Sequence, residues 1–196
     1  MSRPVHVLYV DDDSGLARLV QKTLEPRGYA FEHVTSASEA LARLSQGGID
    51  VVALDHHMPD LTGLDVLPQI VALPNAPPVV YVTGSEDSRI AVAALKAGAI
   101  DYVWKDLQGQ FRELMAQAID GALRQHNLRI AKEQAEREVR EALARAEMLL
   151  HEVTHRVANS LALVASLTRL QRNAVKDVSA RNVLDEMQVR IAAIAG

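Results

Sequence analysis

Three consecutive aspartates, Asp11-Asp12-Asp13, close the apolar run Val5-His6-Val7-Leu8-Tyr9-Val10. Asp55, Thr83 and Lys105 stand in equivalent places, at or just past the ends of the apolar runs 49–55, 78–83 and 99–104. Clustered carboxylates repel and resist ionising together unless a cation sits among them. With oxygen ligands and no cysteine in the chain, the suitable cation is Mg2+, which takes few protein ligands and keeps several waters. A carboxylate beside Mg2+ and an ammonium can attack a phosphoryl group, the cations offsetting the developing charge. Taken singly, an acidic triplet is a solvated turn or a helix cap, Thr83 a strand-end hydrogen bonder, and Lys105 a surface charge. Their joint placement is what points to phosphoryl chemistry.

Histidines offer two further patterns. His151-Glu152-x-x-His155 has the zincin spacing, two histidines one helical turn apart with a glutamate between them. A zincin needs a third ligand and a cleft, and only a helical hairpin's worth of chain remains, so a protease is not expected. His56-His57 resembles a metal pair, but neighbours at a strand end point to opposite faces, and no metal is expected there.

The elements that must position these groups are short strands alternating with helical stretches. The runs 5–10, 30–34, 49–55, 78–83 and 99–104 read as strands, and 14–27, 63–73 and 86–97 as helices. Ser36 or Ser38 can cap one more helix, ending at Gly47-Gly48. Alternation at this spacing means βαβ units and a parallel sheet covered on both faces. In such a sheet ligands bind beyond the carboxyl ends of the strands, where the aspartates, Thr83 and Lys105 stand.

Composition divides the chain. All prolines lie at or before Pro78 and all aromatic rings at or before Phe111, and from residue 122 to residue 195 there is no glycine. Such a stretch should be helix. It carries an apolar stripe, Val139, Leu143, Ala146, Leu150, Val153, Val157, Ser160, Val164 and Leu167, stepping by fours and threes as in a coiled coil. Glu133–Arg137, Glu136–Arg140 and Glu141–Arg145 form i,i+4 pairs in the favourable orientation. The pattern weakens around Lys176-Asp177, and a second helix is expected from about Ser179. A net charge of −4 over 196 residues does not suggest nucleic-acid binding. No apolar run approaches a membrane span, no signal-peptide core opens the chain, and the absence of cysteine fits an intracellular, cytoplasmic protein.

At the motifs Val10-Asp11-Asp12-Asp13, Leu54-Asp55-His56-His57-Met58-Pro59-Asp60, Val82-Thr83-Gly84 and Asp101-Tyr102-Val103-Trp104-Lys105, residues 5–122 resemble the receiver domain of two-component response regulators. The resemblance implies the flavodoxin-like doubly wound α/β sheet of strand order 2-1-3-4-5. It implies Asp55 as phosphoacceptor, and Asp11, Asp12, Asp55 and the backbone carbonyl of His57 as Mg2+ ligands. Thr83 and Lys105 would contact the phosphoryl oxygens, and Tyr102 would swing inward with Thr83. The chain departs from the family where Asp106 follows Lys105 in place of a cis proline, and where Asp60 replaces a common glycine.

The segment 147–196 is similar to the phosphoacceptor helix of HWE/HisKA_2 histidine kinases, through its core His155-Arg156-Val157-Ala158-Asn159. His155 would be the phosphorylated histidine, with Glu152, Arg156 and Asn159 near it. His155 lies about 200° around the helix from Val153, away from the seam. Such kinases hold ATP with glycine-rich loops, which this chain lacks after residue 121, so ATP would act only through a catalytic domain outside this chain. These readings predict a receiver (1–121), a coiled-coil linker (122–146) and a dimerisation and phosphotransfer hairpin (147–196), cut before an ATP-binding domain. The hairpins should pair as a homodimeric four-helix bundle. The partners would be a kinase catalytic domain and a cognate response regulator or phosphotransfer protein, with neither nucleic acid nor membrane. The rival expectations are a complete receiver–phosphotransfer shuttle and a receiver whose helical tail only docks a partner.

Overall fold

The computed structural model describes residues 3–84, 88–106 and 110–195. Strands β1 (Val5–Val10), β2 (Tyr29–Val34), β3 (Val51–Asp55), β4 (Val79–Thr83) and β5 (Asp101–Trp104) form one sheet. All pairings are parallel and the order is β2-β1-β3-β4-β5. Between the strands run α1 (Ser14–Leu24), α2 (Ala37–Ser45), α3 (Gly63–Val71) and α4 (Ser88–Lys96). The helix expected from residue 86 begins outside the described residues, as Gly196 lies outside them. The first helix is shorter than the pattern 14–27 predicts: Glu25–Arg27 is a 3-10 turn around Pro26, which has no N–H to continue an α-helix.

Strand alternation sorts the core into two layers. Val7, Tyr9, Val51, Ala53, Val80 and Val82 face α1 and the start of α5 (Phe111–Ala174) through Val20, Leu24, Met115 and Ile119. Leu8, Val10, Val52, Leu54, Val79 and Tyr81 face α2 and α3 through Ala40, Val66, Leu67 and Ile70. A strand buried on both faces must be apolar at nearly every position, as β3 and β4 are. Polar groups can then enter only at the strand ends, which is where the chemistry sits.

The chain falls into two compact units, up to Ala131 and from Lys132 onward. In the second, α5 continues to Ala174 and α6 (Val178–Ala195) follows a short turn. Asp177 accepts from the Ser179 N–H at 2.8 Å, and Arg181 Nε donates to the Val175 carbonyl at 2.7 Å. Ala158, Leu161, Ala165 and Thr168 on α5 and Val175 just past its end are at least partly buried, as are Leu184, Gln188 and Ile191 on α6. Arg172 Nε meets Asp185 Oδ1 across the hairpin at 2.5 Å. The stripe of Val139, Leu143, Leu150, Val153, Val157, Val164 and Leu167 is a different face and is exposed. The expected Glu136–Arg140 pair takes another form: Arg140 Nε donates to the Glu136 backbone carbonyl, and the Glu136 carboxylate lies 3.8 Å from Lys132.

Candidate phosphoryl-transfer site

The carboxyl edge of the sheet brings together Asp11 after β1, Asp55 at the end of β3, Thr83 at the end of β4 and Lys105 after β5. Asp11, Asp55 and Thr83 are buried, while Asp12 is exposed. Lys105 Nζ lies 2.8 Å from Asp11 Oδ2 and 2.8 Å from Asp55 Oδ1, and its backbone N–H donates to the Thr83 carbonyl at 2.8 Å. Asp55 Oδ2 accepts from the His57 N–H at 3.0 Å. Burial pushes the Asp55 carboxyl up, Lys105 opposes this, and Asp11 adds to it. Burial pulls the Lys105 ammonium down, but the hydrogen bonds and charges of Asp11 and Asp55 outweigh it and leave it raised.

The two directions agree physically, because one ammonium is shared by two buried carboxylates and negative charge remains in surplus. A further cation would relieve it. Asp11, Asp12 and Asp55 can each offer an oxygen within 4.8 Å of the others. Asp55 Oδ1 is buried without a hydrogen bond of good geometry, although Lys105 is close. An all-oxygen set of few ligands with an open, solvated side suits Mg2+.

Asp13, the third of the triplet, has a different task. Its Oδ1 caps α1, accepting from Gly15 N–H at 2.8 Å and Leu16 N–H at 3.0 Å. Those amides, Leu16 first, hold its carboxyl below the ordinary range. Tyr102 is half exposed at 46% and lies at the surface of β5.

Several contacts at this edge are not predictable from local pattern. Tyr9 is fully buried, and its hydroxyl donates to Asp11 Oδ2 at 2.6 Å. Asp60, for which sequence offers no role, caps α2: Oδ1 accepts from Ala37 N–H at 3.1 Å, and Oδ2 from Ser38 N–H at 3.0 Å and Ser38 Oγ at 2.7 Å. The Ser38 hydroxyl and amide hold its pKa down to about 2. Asp106 accepts from Phe111 N–H at 3.0 Å at the start of α5, and no cis peptide occurs among the described residues. His56 and His57 do not diverge as adjacent strand residues would. Their rings meet edge to face, centroids 4.5 Å apart, because β3 ends at Asp55 and the pleat no longer governs them. The His56 Nδ1 is engaged by the Tyr81 hydroxyl at 2.7 Å.

In the second unit His155 is exposed on α5, with the Asn159 amide 3.2 Å from its Nδ1. Glu152 holds Arg156, Oε1 to Nε at 2.7 Å. Their i,i+4 spacing places them one above the other on the helix. His151 is also exposed.

Residues 7–119 match the family model described as response regulator receiver domain, and residues 152–196 match a model described as histidine kinase. The C4-dicarboxylate transport transcriptional regulatory protein DctD of Rhizobium meliloti is 39% identical over 105 residues, covering 54% of this chain and 23% of that protein. The uncharacterized transcriptional regulatory protein YkoG of Bacillus subtilis is 36% identical over 121 residues, covering 62% of this chain and 52% of that protein. This chain therefore spans about half or less of these two relatives. A crystal structure of a response regulator receiver domain protein from Clostridium thermocellum shares 29% identity at a TM-score of 0.57, covering 63% of this chain and 98% of that one.

Proposed function

The chain belongs to the response-regulator receiver family and joins to it a histidine-kinase segment of two-component His–Asp signalling; on that premise we propose that Asp55 and His155 are its two phosphoacceptors. In this reading residues 1–121 are the receiver, 122–146 a coiled-coil linker and 147–196 the dimerisation and phosphotransfer hairpin of a cytoplasmic histidine kinase. The ATP-binding domain would act from outside this chain.

The observation that carries the receiver half is the triad of Asp11, Asp12 and Asp55 oxygens within 4.8 Å of one another, with Lys105 between two of them. Asp11, Asp12, Asp55 and the His57 carbonyl would hold Mg2+, and the ion when bound supplies positive charge to the phosphoryl oxygens. An Asp55 oxygen attacks the phosphorus of a donor. The donor's P–O bond, or the P–N bond of a phosphohistidine, breaks, and its electron pair leaves with the departing group. Lys105 and Thr83 face the transferred oxygens, and Tyr102 follows Thr83 inward from its exposed position.

For the kinase half, exposure of His155 supports access to a donor, and an imidazole nitrogen with a free lone pair is a competent nucleophile. Nε2 attacks when Nδ1 carries the proton; the Asn159 amide nitrogen lies against Nδ1, so this tautomer requires the Asn159 amide to turn its oxygen toward that nitrogen. Arg156, held by Glu152, adds positive charge near the incoming phosphate. The exposed stripe from Val139 to Leu167 is the face on which two copies would pair.

The test is labelling by acetyl phosphate. The full chain should gain an acyl phosphate only when Mg2+ is present, and Asp55→Asn should abolish it. Unchanged labelling of Asp55→Asn would overturn the assignment.

A further inference from the structure

The buried hydroxyl of Tyr9 has no place in the reading above, yet it touches the site. Tyr9 is on β1, and the side chain two residues further along a strand lies on the same face. Its ring packs against Phe31, centroids 5.8 Å apart, and neighbours His33 at 6.1 Å. A fully buried ring with these two β2 side chains beside it has little room to turn its hydroxyl elsewhere, and that hydroxyl ends 2.6 Å from Asp11 Oδ2.

A carboxylate has roughly four lone-pair sites. Asp11 spends three of them inside the protein: Oδ1 accepts from the Asp13 N–H at 3.0 Å, and Oδ2 takes Tyr9 and Lys105. Its backbone is pinned as well, the N–H to the Val34 carbonyl at 3.1 Å and the carbonyl to His33 Nε2 at 2.7 Å. One lone pair on Oδ1 is left for a cation or a cation's water. Which lone pair that is, and where it points, depends on the rotation of the carboxylate. The amide and the ammonium alone do not determine that rotation, because Lys105 is shared with Asp55 and would follow it.

The geometry assigns Tyr9 as a positioning residue for the divalent-cation site: its hydroxyl sets the rotation of Asp11 and so the lone pair that Asp11 presents to Mg2+. This inference rests on the receiver reading proposed above. Outer groups that orient a metal ligand typically carry a factor of 10–100 in metal affinity. Without the hydroxyl, Asp11 Oδ2 keeps only Lys105 and the carboxylate turns toward it.

The experiment compares the full chain with Tyr9→Phe and with Tyr29→Phe, whose hydroxyl also meets a carboxylate, Asp120, remote from the sheet edge. Mg2+ binding is measured by titration calorimetry, with no phosphodonor present, and thermal unfolding is recorded in chelator. Tyr9→Phe should bind Mg2+ about tenfold more weakly, with Tyr29→Phe unchanged. In acetyl phosphate labelling, the Mg2+ concentration for half-maximal rate should rise by the same factor while the rate at saturating Mg2+ stays within about twofold. Equal Mg2+ affinity in Tyr9→Phe and wild type overturns the assignment. So does a large loss of melting temperature in chelator with a collapsed maximal rate, which would make the hydroxyl a support of the fold. If the wild-type chain binds no Mg2+ and takes no phosphate, the receiver reading fails first, and Tyr9 loses its role with it.

Discussion

At the scale of single residues, the site is a contest between burial and charge. Asp55 sits in an apolar environment that favours its neutral form, and Lys105 returns it toward the charged form that can attack phosphorus. Removing that ammonium, as in Lys105→Met, leaves two buried carboxylates without their shared cation. We expect the acetyl phosphate labelling rate to fall at least about 100-fold, a loss in the range of removing one transition-state charge contact, while Mg2+ still binds. The Lys105 shift has a defined sign in stability. Its folded pKa is raised, so its contribution is complete below the ordinary lysine value and is lost as pH rises through the folded pKa. A melting-temperature profile of wild type against Lys105→Met should therefore converge only well above pH 10. His155 carries the other residue-scale prediction. Incubated with ATP and a catalytic domain of its own class, the chain should acquire an acid-labile, base-stable phosphate. His155→Ala should remove it and His151→Ala should leave most of it, since only His155 has Asn159 against its ring nitrogen. Loss of label in His151→Ala alone would mean that the register on α5 is wrong.

At the scale of elements, the loop after β3 is braced from two directions, and each brace is testable. Gly63 opens α3 with its N–H on the His56 carbonyl at 2.8 Å. A Cβ at this position would run into the Asp55 backbone oxygen and approach the Tyr81 hydroxyl at 2.7 Å. Gly63→Ala must push against the phosphoacceptor's own backbone, at a cost of about 1–3 kcal/mol for an overpacked contact. The melting temperature and the labelling of Asp55 should fall together; a melting temperature equal to wild type would mean that the loop yields freely. The second brace is Asp60 on the N-terminus of α2. Exposed caps contribute on the order of 1 kcal/mol. The folded pKa of Asp60 is lowered to about 2, so its stabilisation is present above the ordinary aspartate value near 4 and disappears as pH falls toward 2. Asp60→Ala should melt below wild type at neutral pH, and the two curves should merge in acid. A gap that persists at the lowest pH would show that the cap is not the source of the difference.

At the scale of the whole molecule, the governing feature is an apolar stripe that the chain does not cover. The hairpin buries Thr168 and partly buries Leu161, Val175 and Ile191, and leaves Val139, Leu150 and Val157 at 67%, 68% and 50% exposure. A contiguous row of this length is unfavourable in water, and in the proposed reading it is where two copies pair. Light scattering at micromolar concentration should find the full chain as a dimer, and a Leu143→Glu, Leu150→Glu, Val157→Glu triple variant as a monomer of unchanged helicity. A wild-type monomer would count against the pairing. The Tyr9 experiment is independent of this result, since its hydroxyl and Asp11 lie in one unit.

Much of this was written in the sequence. Five apolar runs between helical patterns specify the parallel sheet, because a strand covered on both faces has no freedom to be polar. The sheet's directionality then brings Asp11, Asp55, Thr83 and Lys105 to one edge without any knowledge of contacts. The loss of glycine, proline and aromatic rings after residue 121 specifies helix for the same local reason. What only the tertiary structure decided are pairings between residues distant along the chain, or past the end of a regular element. Asp60 reaches back to Ala37 and Ser38 because α2 and the loop after β3 meet beyond the sheet. His56 and His57 turn together because the pleat has ended. The hairpin's own seam runs through Leu161 and Thr168 rather than along the heptad stripe, because α6 takes one face of α5 and leaves the other bare. Tyr9 could be placed on a face from its alternation, but whether its hydroxyl found Asp11 depended on how the buried ring packs beside Phe31 and His33 of the neighbouring strand. Periodicity specifies which way a side chain points, and only the packed chain specifies what it meets there.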